Sequence, residues 1–257
     1  FSTTGHISYE NDFLSKNSKM KLTSTFRNLP VTDNETTNLR TTGQIFINGL
    51  VEKPSITGNV KLDRGTINVD AFQEKEVEAV ELEEEQEGES NALYKNAQVD
   101  LKLQIDENVL IKNNGNPKVQ LRTKASLDIA KSRNTDEVNV FGNMEFTDGY
   151  LDVLGKRFNL KDSQVIFDGP AENPRLAIQS VYRVPKPHDV TITYRVNGRL
   201  EDPELSYSSN PEMELQNIIS YVLFNKPFYA LESWQQGFAT SDLSAGGDAT
   251  NIAIQLL

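Results

Sequence analysis

From its N-terminal region to about position 208 this chain alternates apolar and polar residues, and that constrains its fold more than any other feature. Val99-Asp100-Leu101-Lys102-Leu103-Gln104-Ile105 sets four apolar side chains on one face and three polar ones on the other. Val119 to Ile129 continues the pattern with Leu121, Ala125 and Leu127, and Asp189 to Val196 repeats it through Ile192 and Tyr194. Period-two patterning rich in β-branched and aromatic residues predicts strands with one dry and one wet face. The dry face needs a cover, yet almost no helical pattern precedes residue 208. The sheet is therefore expected to close on itself as a sandwich, barrel, β-helix or folded-over sheet.

Internal repeats narrow the choice. The segment from Gly58 to Val69 aligns without a gap to that from Gly142 to Val153, so that Gly65 and Gly149, and the apolar positions around them, coincide. We read this unit as strand, tight turn, strand, with Gly65 and Gly149 at the turns. A second unit, Gly followed by Pro five residues later and an aliphatic residue two beyond that, occurs as Gly49/Pro54/Ile56, Gly169/Pro174/Leu176 and Gly198/Pro203/Leu205. It reads as a corner or strand exchange, because proline cannot donate to a ladder. Units of this kind contact mainly their neighbours, which predicts an elongated sheet with a continuous apolar strip.

Charge is concentrated. Of a formal net charge of -11 over 257 residues, the tract EKEVEAVELEEEQEGE at 74–89 carries nine Glu and one Lys, which is -8, leaving -3 for the remaining 241 residues. Such a block repels itself and buries little, so 74–90 reads as a disordered acidic loop. It lacks the alternating Asp/Asn and central Gly of a calcium loop. An acidic chain without clustered Lys and Arg argues against nucleic acid. No cysteine is present, no run reaches the roughly 18 apolar residues of a spanning helix, and FSTTGHISYE has no signal-peptide pattern.

The C-terminal part changes period. In PEMELQNIISYVLFN (211–225), Leu215, Ile218, Ile219, Val222 and Leu223 share one helical face. Ser209 or Asn210 reads as the cap, Pro211 lies in the first turn, and Asn225 with Pro227 marks the stop. The face is expected either to cap the sheet or to dock a partner. Ala230 to Phe238 forms a second helical piece around Trp234, Ser244 to Asp248 a loop, and the apolar ending Ile252 to Leu257 suggests a longer polypeptide. We take 1–207 as one elongated β-sheet domain and 208–257 as the helix and following segment of the same domain.

No catalytic motif emerges. His6 and His188 have no partner constellation, and His188 sits in a proline-rich connection, Val184 to Asp189. Glu172 and Asp168 form a carboxylate pair whose separation the sequence does not report. Asn34-Glu-Thr36 matches a glycosylation triplet at chance frequency. We expect no enzyme, no cofactor and no metal site.

The run from Gly142 to Gly169, Asn173-Pro174, Val196-Asn-Gly198 with Asp202-Pro203, Ser208 to Pro211, and Val222-Leu-Phe-Asn-Lys-Pro227 resembles the C-terminal domain of TamB-type translocation and assembly module proteins, within the AsmA-like group of two-membrane bacteria. The resemblance covers 142–227 and extends to 40–70. It departs where the family commonly has Gly and this chain has Asn225, and in the acidic tract. It implies an all-β, folded-over sheet (a β-taco) with an apolar concave groove and a short C-terminal helix. It also implies a periplasmic bridge anchored in the inner membrane by a helix absent from this sequence, an Omp85-type outer-membrane barrel partner, and a role in phospholipid passage or barrel assembly. On that reading Val119, Leu121, Leu127, Ile129, Met144, Phe146, Leu151, Val153, Ile192 and Tyr194 line a groove for phospholipid acyl chains, and Leu215, Ile218, Ile219, Val222 and Leu223 form the docking helix. The alternative is a scaffold that holds nascent barrel strands at its sheet edges.

Overall fold

A computed structural model describes residues 2–8, 18–33, 37–68, 94–115, 118–153 and 155–244. The acidic tract, Asn34 to Thr36 and residues 245–257 lie outside them. Twelve strands form one mixed sheet: β1 Ser2–Ser8, β2 Lys19–Asp33, β3 Thr37–Leu50, β4 Lys53–Asn68, β5 Gln98–Asn113, β6 Lys118–Lys131, β7 Val138–Val153, β8 Lys156–Leu160, β9 Ser163–Pro170, β10 Arg175–Arg183, β11 Thr191–Arg199 and β12 Asp202–Asn210. Two helices follow, α1 Leu215–Phe224 and α2 Ser233–Ser244. The fold is all-β.

Strand order follows chain order, with β8 and β9 sharing one position between β7 and β10. Every pairing is antiparallel except β4 with β5. A parallel pair needs a crossover connection, and here residues 69–97, which include the acidic tract, are that connection. Substantial strand contacts are confined to ladder neighbours. The second repeat marks tight hairpin turns, not corners or strand exchanges: Gly49 pairs with Pro54 and Gly198 with Pro203 across hairpin turns, and Gly169 and Pro174 flank the β9–β10 turn.

The first repeat does not. The first copy runs within β4 as far as Asn68 and the second within β7, so Gly65 and Gly149 are not turn residues. Both have left-handed φ, 147° and 155°. A Cβ on Gly65 would fall 1.9 Å from the Asn38 carbonyl oxygen, and one on Gly149 would fall 2.4 Å from that of Gln120. Only glycine allows the neighbouring backbone to come this close. Beside these glycines the ladders slip. Arg27–Asn28 on β2, Asp63 on β4, Asp106 to Asn108 on β5 and Thr147 on β7 interrupt the register along one line across the sheet. Bulges bend a strand and sharpen its twist, so an aligned row of them curls the sheet.

Side chains satisfy the backbone groups that the bulges disturb, as buried or crowded polar groups require. The Asn28 N–H donates to Thr42 Oγ1 at 3.0 Å, Arg40 donates to the Asn28 carbonyl at 3.1 Å, and Arg122 donates to the Glu107 carbonyl at 3.3 Å.

Candidate functional site

The register fixes which side chains share the dry face. One transverse row runs Phe26, Gly43, Val60, Leu103, Leu127, Gly142 and Phe167, and the next runs Thr41, Leu62, Ile105, Ala125, Met144 and Val165. Burial along the face is graded. At mid-sheet Ile105, Val109, Ala125, Leu127 and Val140 are buried and form one cluster. Toward β3 and β4, Ile45, Ile47, Ile56, Val60, Leu101 and Leu103 are only partly buried, although all are apolar and on that same face.

The far end of the face is closed. Leu151, Phe158, Tyr182, Val184, Val190 and Ile192 form a second cluster with Ile218 and Tyr221 of α1. Aromatic rings chain through it: Phe158 lies 5.1 Å from Tyr182 and 5.3 Å from Tyr194, and Tyr194 lies 5.1 Å from Tyr207. Burial pushes the Tyr182, Tyr194 and Tyr207 hydroxyls above their ordinary pKa.

The ten residues read from sequence as groove-lining therefore divide. Leu127, Ile129 and Met144 belong to the mid-sheet cluster, and Val119, Leu151, Ile192 and Tyr194 to the closed end. Leu121 and Phe146 are partly buried and lie in neither cluster. Val153 ends β7 opposite Lys156. Ile192, at 0 % exposure, is core rather than lining. A partly buried apolar stretch lies on β3–β5, at residues not read from sequence as lining, although the run Val99 to Ile105 displays the alternation that places Leu101 and Leu103.

Helix α1 packs on the closed end. Ile218 is buried, Val222 packs against the cluster, Ile219 and Leu223 are partly buried and Leu215 is exposed. Tyr182 donates to Asn225 Oδ1 at 2.6 Å, and Lys156 Nζ donates to the Leu223 carbonyl at 3.0 Å. Burial lowers the Lys156 pKa. The helix starts later than the sequence predicts, with Glu214 at the N-cap and no side-chain cap. The reason is that β12 keeps its ladder through Asn210, paired with Thr191, while Ser209 Oγ takes the Met213 N–H instead. The stop is as predicted: Asn225 adopts the left-handed conformation and its N–H donates to Tyr221. The second helix begins at Ser233 rather than Ala230, after a short 3₁₀ turn at Phe228–Ala230.

The candidate chemical groups are otherwise engaged. Asp168 bridges Arg199 and Arg175, and those contacts, Arg199's hydrogen bond foremost, hold its carboxyl below the usual range. His188 is exposed, with its ring against Tyr221. Among the described residues no helix is long and apolar enough to cross a membrane, and no group of three or more His, Asp or Glu could hold a metal ion. Compared with known protein families, residues 1–256 match the model described as the TamB C-terminal domain.

Proposed function

This chain belongs to the TamB C-terminal domain family, which acts in outer-membrane assembly, and from that premise we propose that its dry face receives phospholipid acyl chains in transit through the cell envelope. One observation carries the reading: the apolar side chains of β3–β5 are left partly exposed on one face, continuous with the buried mid-sheet cluster. Acyl chains seated there would gain roughly 0.8 kcal/mol per buried CH₂. No catalytic group is needed, and the protein would act as a periplasmic bridge rather than an enzyme. An anchor in the inner membrane and an Omp85-type barrel at the outer membrane would complete the path.

Photocrosslinking tests it. A phospholipid with a photoreactive group in its acyl chain is expected to label Ile45, Ile56, Leu101 and their neighbours. Labelling confined to the polar face, or none, would overturn the reading.

A second reading has its own observation. β12 ends the sheet, and among the described residues no strand pairs with its outer edge over Asp202–Asn210. An incoming barrel strand could add there. Proline at Leu205, whose N–H points away from β11 in phase with the native Pro203, is expected to impair barrel assembly, with lipid labelling intact, if the edge does this work.

A further inference from the structure

The wet face holds a trough that lipid passage does not explain. Gln104, Ser126 and Asn143 are register partners on β5, β6 and β7, and Lys61 and Thr42 extend the row onto β4 and β3. Two hollows of about 420 and 470 Å³ lie over this row and share Gln104 and Ser126. With strands about 4.8 Å apart, crossing from β3 to β7 spans roughly 19 Å.

Acid is in slight excess around the trough, since Asp63 accepts from Thr42 Oγ1 beside Lys61 and Asp100 lies near Lys102. Lys61, Lys102 and Lys124 stand against Asp106, Asp128 and Glu145. Lys61 pairs with Asp106 at 2.7 Å, Lys102 pairs with Asp128 at 2.9 Å, and Lys124 is the register partner of Glu145. The neutral polar groups are what remain. The side chains of Asn59, Gln104, Ser126 and Asn143 are exposed and have no hydrogen-bond partner among the described residues. Each amide offers both donors and an acceptor.

An aromatic ring completes the arrangement. Phe141, 48 % exposed, is on the same face as Asn143 and opposite Asp128. Each lysine faces a carboxylate and acid is in excess, so the trough does not select phosphate. Unpaired amides and a hydroxyl suit a neutral ligand dense in hydroxyls, and a bare ring suits the C–H face of a sugar. We propose that this trough binds a neutral oligosaccharide laid across β3–β7, with Phe141 as its stacking platform and Gln104 and Asn143 as its hydrogen-bonding pair.

The test is a titration of the full chain with chitotetraose and, separately, maltotetraose, followed by amide chemical shifts. Saturable shifts confined to the wet face of β4–β7 are expected. Preference for chitotetraose assigns the site to β-linked N-acetylated glycans, and preference for maltotetraose to glucans. Phe141→Ser and Asn143→Val should each weaken binding about tenfold, Phe141→Trp should retain it, and none should change lipid labelling. Both positions are exposed, and a thermal melt verifies that the variants fold. No shift at millimolar sugar, shifts on the apolar face, or wild-type affinity in both Phe141→Ser and Asn143→Val would overturn the proposal.

Discussion

Lys131 is 3 % exposed, yet its ammonium is fully employed. Its three N–H groups donate to the carbonyls of Tyr94, Lys95 and Ala97, with that of Ser132 close by at 3.4 Å, and it lies 4.7 Å from the centre of the Tyr94 ring. It ties the returning crossover to β6. Lys131→Met strands those carbonyls and is expected to cost about 2 kcal/mol or more, read from urea unfolding. At Gly65 the crowding against Asn38 adds to conformational strain, whereas Gly155, φ 74°, has nothing within 4 Å of its would-be Cβ. Gly65→Ala should therefore destabilise more than Gly155→Ala, by about 1 kcal/mol or more. Asp168 supplies a pH dependence. Its folded pKa is depressed, chiefly by Arg199, so its contribution is present above the unfolded value near 4 and lost as pH falls through the folded value. Protection of the amides in the β9–β10 and β11–β12 turns, relative to their intrinsic exchange rates, should fall as pH drops below the unfolded value. In Asp168→Asn that protection should already be low at pH 7.

Among the elements, α1 is where sequence and structure can best be compared. Its apolar face and its stop at Asn225 were legible, because both depend on local periodicity and a left-handed cap. Its start was not, because ladder pairing of β12 with β11 holds Ser209 and Asn210 in a strand, a tertiary contact with no local signature. The uncapped N-terminus is an opportunity: Glu214→Ser should stabilise the protein by about 0.5–1 kcal/mol, seen as a higher unfolding midpoint. Tyr182→Phe removes the bond to Asn225 and should cost about 1 kcal/mol, with faster exchange in α1. The glycine repeat illustrates the opposite limit. Its identity was visible, but a glycine at a turn and a glycine where two backbones nearly touch look the same in a sequence. Only the aligned register shifts distinguish them. The wet-face trough was hidden for a related reason, since Gln104, Ser126 and Asn143 become neighbours only once three strands are in register.

At the scale of the whole molecule, one sheet carries two faces of different chemistry. The alternation made the dry face readable, but period two does not report how far each position is covered. Coverage comes from curling at the bulge line and from α1, which together bury Leu127 and Ile192 and leave Ile56 and Leu101 partly open. A charge is therefore tolerated differently along the strip. Ile192→Glu should unfold the protein, because a buried, unpaired carboxylate costs several kcal/mol. Ile56→Glu and Leu101→Glu should fold. The most direct test of the central claim is mass spectrometry of phospholipid recovered from protein purified without detergent. Lipid is expected with the wild type, and little or none with folded Ile56→Glu and Leu101→Glu. Wild-type protein free of lipid, or folded variants that retain it in full, would show that the dry face does not hold acyl chains.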